Sequence, residues 1–128
     1  MNCFDTTAVI DYLHGNEAIG DYLDEYGHLP QFAPTVVLHE AFTGAARLHG
    51  SDGVEETRRD LDWLEPLELS ADGAAEAALV RAELQEAGTP IGPLDTLIAG
   101  IVRDCGATLV TADDHFDHVA GLDLQYYR

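Results

Sequence analysis

Lysine is absent from this chain of 128 residues. Its six basic residues are all arginines, namely Arg47, Arg58, Arg59, Arg81, Arg103 and Arg128. They face 24 aspartates and glutamates, for a net charge of −18. The missing lysine excludes whole chemistries. A P-loop needs a lysine on the nucleotide phosphates, and no Gly-x-x-x-x-Gly-Lys occurs here. Receiver domains and haloacid-dehalogenase-type phosphatases also place a lysine near the phosphoryl group. The phosphatase pattern further needs a second aspartate two residues after Asp5, where this chain has Thr7.

Other scarcities narrow the class. There are two cysteines, Cys3 and Cys105, both in apolar runs. They read as buried free thiols and are too few for a zinc site. No apolar stretch approaches the ~18 residues of a membrane span. No charged-then-apolar leader opens the chain. The expectation is a soluble cytoplasmic protein with no membrane partner. Hydrophobic residues make up 46% of the sequence, enough for one domain over residues 1–128 with a real core. A charge of −18 repels itself at ordinary ionic strength. At molar salt the Debye length falls to about 3 Å or less. Because the acids are spread along the whole chain, they read as adaptation to a salt-rich cytoplasm such as that of a halophilic archaeon. An acidic face for a basic partner is the other reading.

What is present alternates between strand and helix patterns. Asn2–Phe4 reads as a strand, followed by a helix over Ala8–Leu13. Asn16 caps a helix reaching about Tyr26. Gln31–Ala33 reads as a strand. A helix from Pro34 and Thr35 to about Leu48 puts Val37, Leu38, Ala41, Phe42, Ala45 and Leu48 on its apolar side. Gly53–Leu64 is amphipathic, Leu67–Leu69 strand-like. Ser70 caps an Ala- and Glu-rich helix that stops at Gly88. Pro93 opens a helix that reaches Cys105 and closes at Gly106. Thr108–Thr111 is a strand, Asp114–Val119 a short helix, and Leu122–Tyr126 a last strand. This alternation predicts an α/β domain with a largely parallel sheet. Ligands of such sheets bind beyond the carboxyl ends of the strands.

Four acids stand where an isolated acid needs a reason. Asp5 and Asp113 fall just past strand ends. Asp95 follows a loop at a helix start, and Glu40 lies past the first turn of an apolar helix. Together they would suit a hard divalent cation, because carboxylate oxygens suit Mg²⁺ and Mn²⁺. Taken singly, Asp5, Asp95 and Asp113 are equally explained as helix caps or macrodipole partners. Glu40 has the alternative of facing solvent with Thr43 and Arg47. The window Asp113-Asp114-His115-Phe116-Asp117-His118 has transition-metal donors. Its spacing matches no zinc signature and no third histidine is near, so surface or cap roles are expected. His39 reads as structural.

The same residues carry a family resemblance. Phe4-Asp5-Thr6-Thr7-Ala8-Val9-Ile10-Asp11 resembles the opening of PIN-domain nucleases, where an Asp-Thr-Asn-apolar pattern is usual. Pro34-Thr35-Val36-Val37-Leu38-His39-Glu40-Ala41-Phe42-Thr43-Gly44 resembles the second block. Pro93-Leu94-Asp95-Thr96-Leu97-Ile98-Ala99-Gly100 resembles the third. Leu109-Val110-Thr111-Ala112-Asp113-Asp114-His115-Phe116 resembles the fourth. Order, spacing and length agree over essentially the whole chain, and the small size is most similar to VapC-type toxins of toxin–antitoxin pairs. Three positions depart from the pattern: Thr7 stands for an asparagine, Thr96 for a smaller residue, and Asp114 doubles Asp113.

The resemblance implies a three-layer α/β/α sandwich around a parallel sheet of about five strands. It implies an Mg²⁺- or Mn²⁺-dependent ribonuclease with Asp5, Glu40, Asp95 and Asp113 as its acidic site. Asp114 is a second candidate for the last ligand, and Thr6 and Thr111 are candidates for orienting the carboxylates. It also implies a homodimer, an RNA substrate and a small antitoxin that blocks the site. Arg47, Arg58 or Arg59 would touch the RNA locally, Arg47 alternatively forming a surface ion pair. The rival reading is a catalytically silent module of the same fold that holds a basic partner.

Overall fold

Strands buried on both faces read as continuous apolar runs, and the two central strands of this protein do so. In the computed structural model, which describes residues 1–128, β1 is Asn2–Phe4 and β4 is Thr108–Thr111. Cys3, Phe4, Leu109, Val110 and Thr111 are all fully buried. The remaining strands are β2 (Gln31–Pro34), β3 (Glu65–Leu67) and β5 (Asp123–Tyr126). All pair in parallel, in the order β3-β2-β1-β4-β5. Helices cover both faces, giving a three-layer α/β/α sandwich. They are α1 (Thr6–Leu13), α2 (Glu17–Tyr26), α3 (Thr35–Asp60), α4 (Ala71–Ala87) and α5 (Pro93–Cys105). A 3₁₀ turn spans Asp114–His118.

The strand order decides where a ligand site can form. From β1 the chain proceeds outward through β2 and β3, then returns to the other side of β1 as β4 and β5. The switch point therefore lies between the carboxyl ends of β1 and β4, where crevices open in sheets of this type. Asp5 follows β1 there, its N–H donating to the Val110 carbonyl of β4 at 3.1 Å.

The core packs around Phe4, whose ring meets Tyr22 and Trp63 edge-on at 5.8 and 5.7 Å between centroids. Such contacts add to area burial. On another seam, α4 lies against α5 through Gly100. A Cβ at that position would stand 2.4 Å from the Ala77 Cβ, so only glycine permits the close approach.

Several sequence expectations are corrected. β3 begins at Glu65, two residues earlier than the pattern suggested. It includes Pro66, which an edge strand tolerates because it loses no ladder bond. The two helices expected to either side of Leu48 and Gly53 are present as two helical stretches within α3, separated by a kink at Gly50, whose non-helical φ of 60° and ψ of −145° are open to glycine. Leu48, expected on the apolar side, is 77% exposed just before that break. Cys3 is buried as expected, but Cys105 in the last turn of α5 is exposed. The short helix after β4 is 3₁₀ rather than α.

Candidate metal centre

Of the 24 acids, Asp5 is the one whose residue is buried, at 2% exposure. It is the N-cap of α1, its Oδ1 accepting from the Ala8 N–H at 2.8 Å. Two hydroxyls hold it as well. Thr7 Oγ1 reaches both carboxylate oxygens at 2.8 and 2.9 Å, and Thr111 Oγ1 donates to Oδ2 at 2.5 Å. Burial pushes the Asp5 pKa up to about 6 from 3.8. The hydrogen bonds from Thr111, Ala8 and Thr7 oppose that rise, and the neighbouring Asp113 carboxylate adds to it.

The other three acids converge on the same place from separate elements. Asp113 caps the 3₁₀ turn, accepting from the His115 N–H at 2.9 Å, while its own N–H donates to Thr111 Oγ1 at 2.9 Å. Thr111 thus links Asp5 to Asp113. Asp95 sits in the first turn of α5. Its pKa is raised by burial, then by Asp113 and Glu40, with His115 opposing. Glu40, partly buried on α3, accepts from Thr6 Oγ1 at 2.9 Å. Asp5, Glu40, Asp95 and Asp113 therefore form one interacting set, in which three also serve their helix starts. Capping and clustering, alternatives in the sequence, coexist here.

Asp114 lies outside this set and is exposed. Arg47 is exposed and makes no ion pair with Glu40. Arg58 and Arg59 are exposed and unpaired, and line a groove beside Thr35, Leu38 and Phe42 of α3. No arginine pairs with any of the four clustered acids.

Two residues carry more than the sequence suggested. Thr7, noted only as a departure from the family pattern, bonds both oxygens of Asp5 and accepts from the Ala112 N–H at 3.3 Å. His115 was read as a surface residue. It is exposed, but one ring nitrogen and single carboxylate oxygens of Asp95 and Asp113 all lie within 4.8 Å of one another. Its place in an Asp-Asp-His window was the available signal. Thr96, the other departure, is 6% exposed and donates to the Gly92 carbonyl at 3.0 Å, inside the first turn of α5.

The donor set fits a hard divalent cation: carboxylate oxygens, several of them partly desolvated, with no arginine against them and only the exposed His115 Nδ1 at 3.0 Å from Asp113. Burial first, and neighbouring carboxylates after it, raise the pKa values of Asp5 and Asp95, a perturbation that clusters at functional sites.

The comparisons with known proteins agree with this fold. The chain is 38% identical over 60 residues to the tRNA(fMet)-specific endonuclease VapC of Shigella flexneri, covering 46% of this chain and 46% of that protein. It is 35% identical over 63 residues to the protein of the same name from Salmonella typhimurium, covering 48% of each. The match thus spans about half the length of these curated relatives. Among solved structures, the chain is similar to DNA-bound VapBC from Salmonella typhimurium. The TM-score is 0.88 at 25% identity, over 99% of this chain and 98% of that one. It is similar also to VapBC2 from Rickettsia felis bound to a promoter DNA fragment. There the TM-score is 0.83 at 24% identity, over 98% and 97%. A family model described as PIN domain matches residues 3–122, which hold all the helices and all four acids and stop just before β5, and the chain belongs to that family.

Proposed function

We propose that this protein is a divalent-metal-dependent endoribonuclease acting as the toxin of a toxin–antitoxin pair. One observation carries the reading: the buried acid Asp5 stands at the switch point of the sheet among Glu40, Asp95 and Asp113, with no arginine to neutralise them. Relatives named as tRNA(fMet)-specific endonucleases support the substrate class, and structural neighbours solved as VapBC complexes support a small antitoxin partner. A homodimer follows from the family expectation.

Asp5 and Asp95 would hold Mg²⁺ or Mn²⁺ directly, with Asp113 and Glu40 completing the set or positioning water. When bound, such an ion supplies Lewis acidity for water activation and offsets charge developing on the phosphodiester. The protein's own residues prepare that site. Thr7 and Thr111 fix both oxygens of Asp5, so its rotamer is set before an ion arrives. Thr6 does the same for one oxygen of Glu40. Arg58 and Arg59, unpaired along the groove on α3, are placed to touch a phosphate backbone in a molecule that otherwise repels it. Because a basic surface gives little at high salt, the ion must bridge much of the remaining charge. This fits a cytoplasm at molar salt, where the surface charge of −18 is screened.

The test is incubation with structured RNAs, initiator tRNA among them, at molar KCl with and without Mn²⁺. Asp5→Asn is the control. Cleavage should require both the ion and Asp5. Binding without cleavage in the wild-type protein would instead support the silent module, and metal-independent cleavage would refute the assigned site.

A further inference from the structure

We infer that His115 is a metal-ligating residue of this site, and that its imidazole biases the site toward Mn²⁺ over Mg²⁺. The inference rests on the metal site proposed above and extends it beyond its four carboxylates. The geometry is local and well determined by the turn. Asp113 caps the 3₁₀ turn through the His115 N–H, which sets the His115 side chain next to the Asp113 carboxylate. His115 Nδ1 and Asp113 Oδ1 are 3.0 Å apart. Adjacent donors of an octahedral ion, each ~2.1 Å from the metal, are separated by about 3 Å. The pair therefore already has the spacing of neighbouring ligands. An Asp95 oxygen completes a set whose members all lie within 4.8 Å of one another, and rotation of the exposed ring is the freedom that would let one ion take all three. The imidazole is 65% exposed, so packing does not oppose that rotation. The other histidine of the window, His118, is not in the set.

The chemistry gives the bias its direction. Mg²⁺ takes oxygen ligands and keeps its waters, so an imidazole adds little to its binding. Imidazole nitrogen is a donor for first-row transition ions rather than for Mg²⁺, and Mn²⁺, though lowest in that series and mainly oxygen-bound, gains more from one nitrogen than Mg²⁺ does. A set of carboxylates alone holds both ions in similar fashion, and one nitrogen donor separates them.

The experiment measures Mn²⁺ and Mg²⁺ binding to the full chain by titration calorimetry, at fixed pH and high KCl. It compares wild type, His115→Ala and His115→Gln, after their melting temperatures show that all three fold. Mn²⁺ affinity should fall by at least roughly tenfold in both variants, no less than the loss of an outer ordering partner costs at metal sites, and Mg²⁺ affinity by less than about twofold. Pulsed electron paramagnetic resonance of the Mn²⁺ complex should show nitrogen coupling in the wild type and lose it in His115→Ala. Equal weakening of both ions, without nitrogen coupling, would mean that His115 only steadies Asp113 and would overturn ligation. Unchanged affinities would overturn it too. A wild-type protein that binds neither ion would remove the metal reading itself, an outcome distinct from failure of the histidine variants alone.

Discussion

Two regions of this molecule concentrate acid, and they treat it in opposite ways. On the outside of the α4–α5 seam, Glu76 and Glu83 receive Arg103 at 2.7 and 2.8 Å, and the same guanidinium donates to the Ala120 carbonyl at 3.0 Å. At the switch point, Asp5, Glu40 and Asp113 receive hydroxyls or backbone N–H groups, and none of the four acids, Asp95 included, meets an arginine. With six arginines for 24 acids, positive charge is scarce. The protein uses it where helices must be joined and withholds it where the sheet opens. Charge left uncompensated in a partly buried place costs stability. The proposed cation site at the switch point rests on this comparison.

The largest expected effect comes from deleting charge there. Asp5→Asn or Glu40→Gln should reduce RNA cleavage at saturating Mn²⁺ by at least roughly 10²–10³-fold, the scale of losing one electrostatic stabiliser of the transition state. Melting temperature without metal should stay level or rise, because repulsion is relieved. Full activity in both variants would erase the distinction between the two regions.

The pH dependence of stability sharpens it further. Folded Asp5 keeps its proton to about pH 6, whereas its unfolded reference loses it near 3.8. Between those values the folded state binds more protons than the unfolded one, so stability of the metal-free protein falls as pH rises. The swing attributable to Asp5 is about 3 kcal/mol, nearly complete by pH 7. Denaturant unfolding from pH 4 to 7 with chelator present should show this decline. Asp5→Asn should flatten it, and Mn²⁺ should restore stability at neutral pH by binding only the folded state. A rise over that interval in the wild type would contradict the assigned environment.

Smaller in effect is the loss of a hydroxyl that orients the cluster. Thr111→Val removes the bond to Asp5 and the acceptor for the Asp113 N–H while keeping the volume. Mn²⁺ affinity should weaken by roughly 10- to 100-fold, the range found for outer partners of metal ligands. Thr111→Ser should recover most of it, and calorimetry on the two variants separates orientation from bulk packing.

What the sequence made visible was local. Asn16, Ser70 with Gly88, and Pro93 with Gly106 mark helix ends through capping chemistry that acts within a few residues, and α2, α4 and α5 begin and end there. β3 was misplaced because Pro66 reads as a breaker unless the strand is known to be an edge, and edges are a property of the whole sheet. Leu48 fits the helical period but precedes the turn at Gly50, after which α3 changes course. Without the family resemblance, the acids were legible only one by one, past strand ends, at a helix start or inside an apolar helix. What joins them spans 106 residues between Thr111 and Asp5 and 34 between Thr6 and Glu40, distances no periodicity covers. Thr7 was underrated for the same reason, because it reaches across to Ala112 after β4, and His115, exposed as expected, comes near Asp95 only through the fold.

The smallest effect belongs to the neutralised region and tests whether its role differs in kind. The Arg103 side chain is 12% exposed, and its partners Glu76 and Glu83 are 30% and 54% exposed. Arg103→Gln keeps length and some hydrogen bonding but removes the charge both glutamates share. With water available to Glu83 and less to Glu76, the cost should be about 1–2 kcal/mol, read as a lower urea midpoint with an unchanged slope. Because α5 carries Asp95 on its first turn and Arg103 near its last, the helix could transmit a disturbance from one end to the other. If the two acidic regions are independent, as their separate partners imply, Mn²⁺ affinity in Arg103→Gln should match the wild type at temperatures where both are folded. A parallel loss of metal affinity would mean that the arginine-joined seam also sets the position of Asp95, and the two regions would then be parts of one site.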